Sequence, residues 1–201
     1  GAFAITAHPS PRRIEAQQGP IGLGWDAAGV VEAVGPDVRG LQPGQRVMAL
    51  SAGVDKPLGA LAELLVVPSD AVVALPAAVS TMDAATLPLN VLTAMQALDL
   101  LGDPVGGRLL VTGAAGAVGG FALPLARQCG WDVVGLARIT DEGFVTETGA
   151  ELATGMDGLR VDAVLDAAGL DERALDAVAD GGRYVGVFPP TVPVPRRGIT
   201  T

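Results

Sequence analysis

The sequence predicts an α/β fold: a β-rich first part followed by a doubly wound parallel sheet. Three observations predict it. The apolar run Leu109-Leu110-Val111-Thr112 ends in a turn of small residues, Gly113 to Gly120, and a helix-like segment follows at once. From Arg108 onward, strand-like and helix-like segments alternate, the order that right-handed crossovers wind into a parallel sheet. Before about Pro88 the apolar runs are short and broken by Gly and Pro, the habit of a small barrel or sandwich.

Taken in order, Ala28 to Val34 reads as a strand stopped by Gly35-Pro36-Asp37. The turn Pro43-Gly44-Gln45-Arg46 leads into a second strand, Val47 to Leu50. Ala62 to Val67 reads as a third, stopped by Pro68, and Ala71 to Leu75 as a short fourth. Ser80 or Thr81 can cap a helix with Asp83 in its first turn, where a carboxylate faces the positive helix end. Apolar spacing then runs from Ala84 to Leu101, as two helices divided near Pro88. The second half reads as strand Leu109–Thr112, helix Phe121–Gln128, strand Asp132–Leu136, helix Glu142–Thr148, strand Val161–Asp166, helix Glu172–Ala179 and strand Gly182–Val187. The Pro-rich tail from Phe188 to Thr201 reads as a loop, and no internal repeat is present. The division of labour is thus residues 1–88 and residues 89–201.

Composition excludes several classes. The chain has 201 residues, 49% of them hydrophobic and 17% charged, which suits a buried core rather than disorder. A net charge of −9 repels polyanions, so nucleic acid is not an expected partner. A single cysteine, Cys129, can form no internal disulfide. No apolar stretch reaches the roughly 20 residues a membrane span needs, and no secretory signal is visible, so a cytoplasmic protein is expected.

The turn after Thr112 carries the chemistry. Ala114, Gly116 and Gly119 take the three places of the G-x-G-x-x-G pattern, with Ala115, Ala117 and Val118 between them. Small residues there let backbone N–H groups approach a diphosphate, and the new helix aims its positive end at the same point. The predicted second strand of this half ends in Ala137-Arg138. NAD-binding folds place a carboxylate at that strand end to hold the ribose hydroxyls. Here none repels a phosphate and a guanidinium can clamp one, which favours NADPH. The alternative is a solvated loop arginine that pairs with Asp141 or Glu142. Asp166-Ala167-Ala168-Gly169 and Val187-Phe188 end two further strands at the carboxyl edge, where open α/β sheets bind ligands; plain turn formation is the other reading of both.

These residues resemble a known family. Gly24 to Gly35 with Gly44-Gln45-Arg46-Val47, Leu87 to Leu98, the Ala114–Gly119 turn, Asp162 to Gly169 and Gly182 to Gly186 resemble, in that order, the motifs of medium-chain dehydrogenase/reductases. The resemblance runs from about Ile21 to Val187 and is to the zinc-free quinone oxidoreductase and enoyl reductase branch. It implies a GroES-like first domain and a Rossmann cofactor domain. It implies NADPH-dependent hydride transfer to a quinone or other conjugated carbonyl of a small molecule, and a homodimer extended through the Gly182–Val187 strand.

Family chains are longer, with more residues between Ile14-Glu15 and Pro20-Ile21-Gly22 and a continuation past Thr201, so the resemblance also implies a partial first domain. A catalytically incomplete NADP(H)-binding protein and a structural partner are the alternatives to an enzyme. Where zinc members of the family carry Gly-His-Glu, this chain has Gly24-Trp25-Asp26, and indole binds no metal. His8 and Cys129 are far apart in sequence, so no metal site is expected. Trp25 and Asp26 can line the cleft, but Asp26 is rather expected to fix the local turn by bonding the backbone. Asn90 and Thr93 fall on the segment resembling the family's nicotinamide-side helix, where they can donate to a carboxamide or a substrate oxygen. Helix capping or polar packing is their alternative role.

Overall fold

The computed structural model describes residues 2–4, 22–53, 58–104, 106–187 and 193–201. The chain divides into two compact units, Gly1–Asn90 and Val91–Thr201.

The first unit holds a four-stranded antiparallel sheet. Its strands, in both chain and spatial order, are β1 (Ala2–Ala4), β2 (Asp26–Val30), β3 (Arg46–Leu50) and β4 (Val72–Ala74). The β2–β3 hairpin is in register from Asp26↔Leu50 to Val30↔Arg46, and two more backbone bonds, from the Val31 amide to the Gln45 carbonyl and from the Gly44 amide to the Val31 carbonyl, close it. β2 therefore starts two residues before the predicted strand and stops four short of its end. Past Val31 the chain leaves its partner, and propensity alone cannot hold a strand. The predicted strand Ala62–Val67 does not form. Its backbone pairs with no neighbouring strand among the described residues, and Leu64 and Val66 are 75% and 97% exposed.

Ser80 caps α1 (Thr81–Ala84) by accepting the Asp83 N–H at 3.0 Å, and its hydroxyl donates to the Asp83 carboxylate. Pro88 opens α2 (Pro88–Leu101), a position where its missing N–H costs nothing.

The second unit is a five-stranded parallel sheet in the order β7-β6-β5-β8-β9. Its strands are β5 (Arg108–Thr112), β6 (Asp132–Leu136), β7 (Glu151–Ala153), β8 (Val161–Asp166) and β9 (Val178–Gly186). Between them lie α3 (Ala117–Gln128), α4 (Glu142–Glu147) and α5 (Glu172–Ala177). The sheet is covered on both faces, as the pleat requires. Leu109 and Val111 join one buried cluster with Leu123 and Ala126 of α3, while Leu110 joins another with Ala174 and Leu175 of α5.

Several bounds differ from expectation. α3 begins at Ala117, four residues early, because its first turn is made from the glycine-rich motif itself. β7 was not foreseen: three residues at a sheet edge give too short a pattern to read. α5 ends at Ala177 and β9 begins at Val178, with a register shift opposite Val161 and Ala163.

The tail is not wholly a loop. Ile199 is buried in the second cluster, and Thr200 bridges Arg183 in parallel. The outer edge of β9, which the resemblance assigns to dimerisation, is thus bonded over Gly181–Tyr184 to residues 197–200.

Candidate cofactor-binding site

Strand register gathers the site. Thr112 pairs with Leu136 on one side and with Asp166 on the other, and Asp166 pairs with Gly186. The turn after Thr112, Ala137-Arg138, Ala167-Ala168-Gly169 and Val187 therefore leave the sheet at one carboxyl edge. β5 is the strand from which the order runs outward in both directions, the switch point where open α/β sheets bind ligands.

At that point the turn is built from missing side chains. Gly113 takes φ +60, the left-handed conformation that glycine adopts without strain. Sequence reasoning gave the first place of the pattern to Ala114; the sharp bend is made one residue earlier. Ala114 is instead buried, with its N–H on the Leu136 carbonyl. Gly119 packs α3 against the turn: a Cβ there would lie 2.2 Å from the Gly113 oxygen. Gly116 is the N-cap of α3, and its own N–H bonds the Gly113 carbonyl. It has no side chain to cap the amides that follow. The N–H groups of Ala117, Val118 and Gly119 have no acceptor within the helix, by its geometry. Residues 115–117 are exposed, so an anion can reach them.

Arg138 is exposed at the end of β6, and its carbonyl accepts the Asp141 N–H. Among the described residues its guanidinium forms no ion pair, with Asp141 and Glu142 included. Gly169 takes φ +66, and Ala168 stands opposite Gly113, whose Cβ would meet it at 3.3 Å. Val187 donates its N–H to the Asp166 carbonyl. Phe188, like His8, lies outside the described residues.

Sequence reasoning placed Asp166 at the ligand edge of its strand but gave its carboxylate no role. This carboxylate is fully buried between Thr112 and Tyr184. Burial and the hydrogen bond to Asp166 push the Tyr184 phenol well above its ordinary value. An apolar strand that ends in Asp was the available signal.

Comparisons agree with this geometry. Residues 5–77 match the alcohol dehydrogenase GroES-like domain. The spectinabilin polyketide synthase system protein NorB of Streptomyces orinoci is 38% identical, over 81% of this chain and 8% of its own. The 2-methylene-furan-3-one reductase of Solanum lycopersicum is 33% identical, over 81% of this chain and 45% of its own. The quinone oxidoreductase structure from Coxiella burnetii superposes with a TM-score of 0.77 at 30% identity, covering 87% of this chain and 58% of that one. The chain belongs to the medium-chain dehydrogenase/reductase superfamily. It spans less than two thirds of each of these three relatives.

For a medium-chain dehydrogenase/reductase, the residues present fit a nicotinamide dinucleotide. The open amides can accept a diphosphate, the missing Cβ at Gly119 lets α3 pack against the turn that presents them, and no carboxylate stands at Ala137 or Arg138. In the first unit, Asp26 accepts the Leu89 N–H at 2.7 Å. It thus fixes the first turn of α2. Asn90 is buried and donates to the Thr86 carbonyl at 3.4 Å. Thr93 stands one turn further along the same helix. Among the described residues, no three His, Cys, Asp or Glu side chains form a metal-sized group, and no helix is long and apolar enough to cross a membrane.

Proposed function

We propose that the protein is an NADPH-dependent, zinc-independent oxidoreductase that reduces a quinone or a carbon–carbon double bond conjugated to a carbonyl. The observation that carries this reading is the side-chain-free N-terminus of α3, set at the switch point of the sheet. The bound cofactor supplies the hydride. The open amides of Ala117, Val118 and Gly119, on a turn shaped by Ala114, Ala115 and Gly116, hold the diphosphate. Arg138 holds the phosphate on the adenosine ribose, because a planar guanidinium matches its oxygens. Ala167, Ala168 and Gly169 let the second ribose come close, and Val187, at the end of the next strand, borders the nicotinamide. Asn90 and Thr93 are assigned as donors to the substrate oxygen that gains charge. The tomato relative is named for a methylene conjugated to a ketone, which supports the substrate class.

Arg138→Ala tests the cofactor. NADPH should bind about tenfold more weakly or worse, the loss of one charge-assisted contact, while NADH binding stays unchanged. Equal losses for both cofactors, or none, would overturn the assignment. Turnover is read from NADPH consumption with a quinone, an α-methylene ketone and an enoyl thioester. Tight NADPH binding without turnover on any of them would favour a cofactor-binding protein that is not an enzyme.

A further inference from the structure

We propose that Asp166 is a positioning residue: its buried carboxylate shapes the loop at residues 167–171 against which the dinucleotide lies. The proposal rests on the cofactor reading above.

A fully buried carboxylate is costly unless donors surround it. Four donors converge here. Oδ1 accepts the Thr112 hydroxyl at 2.5 Å and the Ala168 N–H at 3.2 Å. Oδ2 accepts the Asp171 N–H at 2.8 Å and the Tyr184 hydroxyl at 2.8 Å. The Thr112 oxygen also accepts the Ala168 N–H, at 3.1 Å, so hydroxyl and carboxylate share that amide.

Two of the four donors are amides of the loop itself. The other two come from β5 and β9, the strands on either side of β8. The carboxylate is therefore a template that ties the loop to the ends of three adjacent strands. The loop needs one. Gly169 and Asp171 both take left-handed backbone conformations, at φ +66 and φ +50, and Asp171 is not a glycine. Such a conformation persists only where the surroundings over-determine it. Strand ends at the same edge manage without a buried charge: β6 ends in Leu136 and β9 in Gly186. A core-filling role would be met by an apolar residue. An acceptor-only group with about four lone-pair directions is what four converging donors demand.

Asp166→Asn keeps the shape but replaces an acceptor with a donor pair, so at least one of the four donors meets an N–H. Three measurements read the outcome on the full chain: NADPH affinity, hydrogen exchange of the 167–171 amides, and tyrosinate absorbance. Tyr184 is the one tyrosine in the sequence, so that signal is unambiguous. The variant should bind NADPH about tenfold more weakly, the worth of one lost hydrogen bond to a charged group. The Ala168 and Asp171 amides should exchange faster by a similar factor, while amides within β5 and β6 keep their protection. Tyr184 should ionise at lower pH than in the wild type.

If Asp166→Asn does not fold, Thr112 decides. Thr112→Val should lose affinity and loop protection, and Thr112→Ser should restore both. NADPH affinity within about twofold of wild type in Asp166→Asn or Thr112→Val, with the loop amides still protected, overturns the proposal. If the wild type binds neither NADPH nor NADH, the cofactor reading fails. Exchange and tyrosinate absorbance then still judge whether Asp166 shapes the loop.

Discussion

Gly119→Ala puts the architecture of the turn to a quantitative test. The added Cβ would lie 2.2 Å from the Gly113 oxygen, 2.8 Å from its carbonyl carbon and 2.9 Å from the Ala114 Cα. All three are backbone atoms, so no rotamer relieves the clash. The first turn of α3 must withdraw by about 1 Å, and overpacking of this kind costs about 1–3 kcal/mol. For a chain of this size that lowers the melting temperature by roughly 2–12 °C. The same withdrawal moves the open amides off the diphosphate, and a displacement of about 1 Å should weaken NADPH binding by about tenfold to a hundredfold. Gly116→Ala is the contrast: its Cβ meets one atom, the Gly113 oxygen, at 3.0 Å and is otherwise unopposed within hard contact. It should cost under about 1 kcal/mol. Thermal melts and fluorescence titrations of the two variants decide the matter. A Gly119→Ala protein that melts with the wild type and binds NADPH equally would refute the close packing of helix on turn.

Other outcomes follow from the same geometry. Asp26→Ala strands the Leu89 N–H at the start of α2 and should cost about 1–3 kcal/mol in denaturant unfolding. Ser80→Ala removes the cap of α1 and should cost about 1 kcal/mol, read the same way. The folded protein holds the Tyr184 proton more tightly than the unfolded chain, whose phenol has the ordinary value of 10.0. Stability is therefore complete below that pH and falls as pH rises above it, with tyrosinate appearing on unfolding rather than before. A tyrosinate titration of the native protein at its ordinary pH would contradict the buried bond to Asp166.

The second half of the chain was legible because its signals are redundant. An apolar run, a small-residue turn and a helix start coincide between Leu109 and Gln128, and the alternation of strands and helices that follows implies a parallel sheet. The predicted bounds Asp132–Leu136 and Val161–Asp166 are those observed. The first half was less legible, since a strand there depends on a partner distant in sequence. Ala62–Val67 has the composition of a strand but joins no ladder among the described residues. The bend at Gly113 and the role of the carboxylate at Asp166 were hidden for another reason. One is a matter of a single backbone angle, and the other of donors gathered from β5, β9 and a loop. The strand-ending Asp is visible in the sequence, but the donors that surround it are not.

The pairing of Thr200 with β9 governs how copies of this chain can meet. Unpaired strand borders act as templates for further strands. Here the border is sealed along Gly181–Tyr184 by three main-chain bonds, and Arg197 pins the sealing segment to the Leu175 and Val178 carbonyls. A second copy adding its own β9 would first have to peel that segment away and draw Ile199 out of the interior. Any strand approaching this border would therefore meet residues 197–200 before it reached β9 over Gly181–Tyr184.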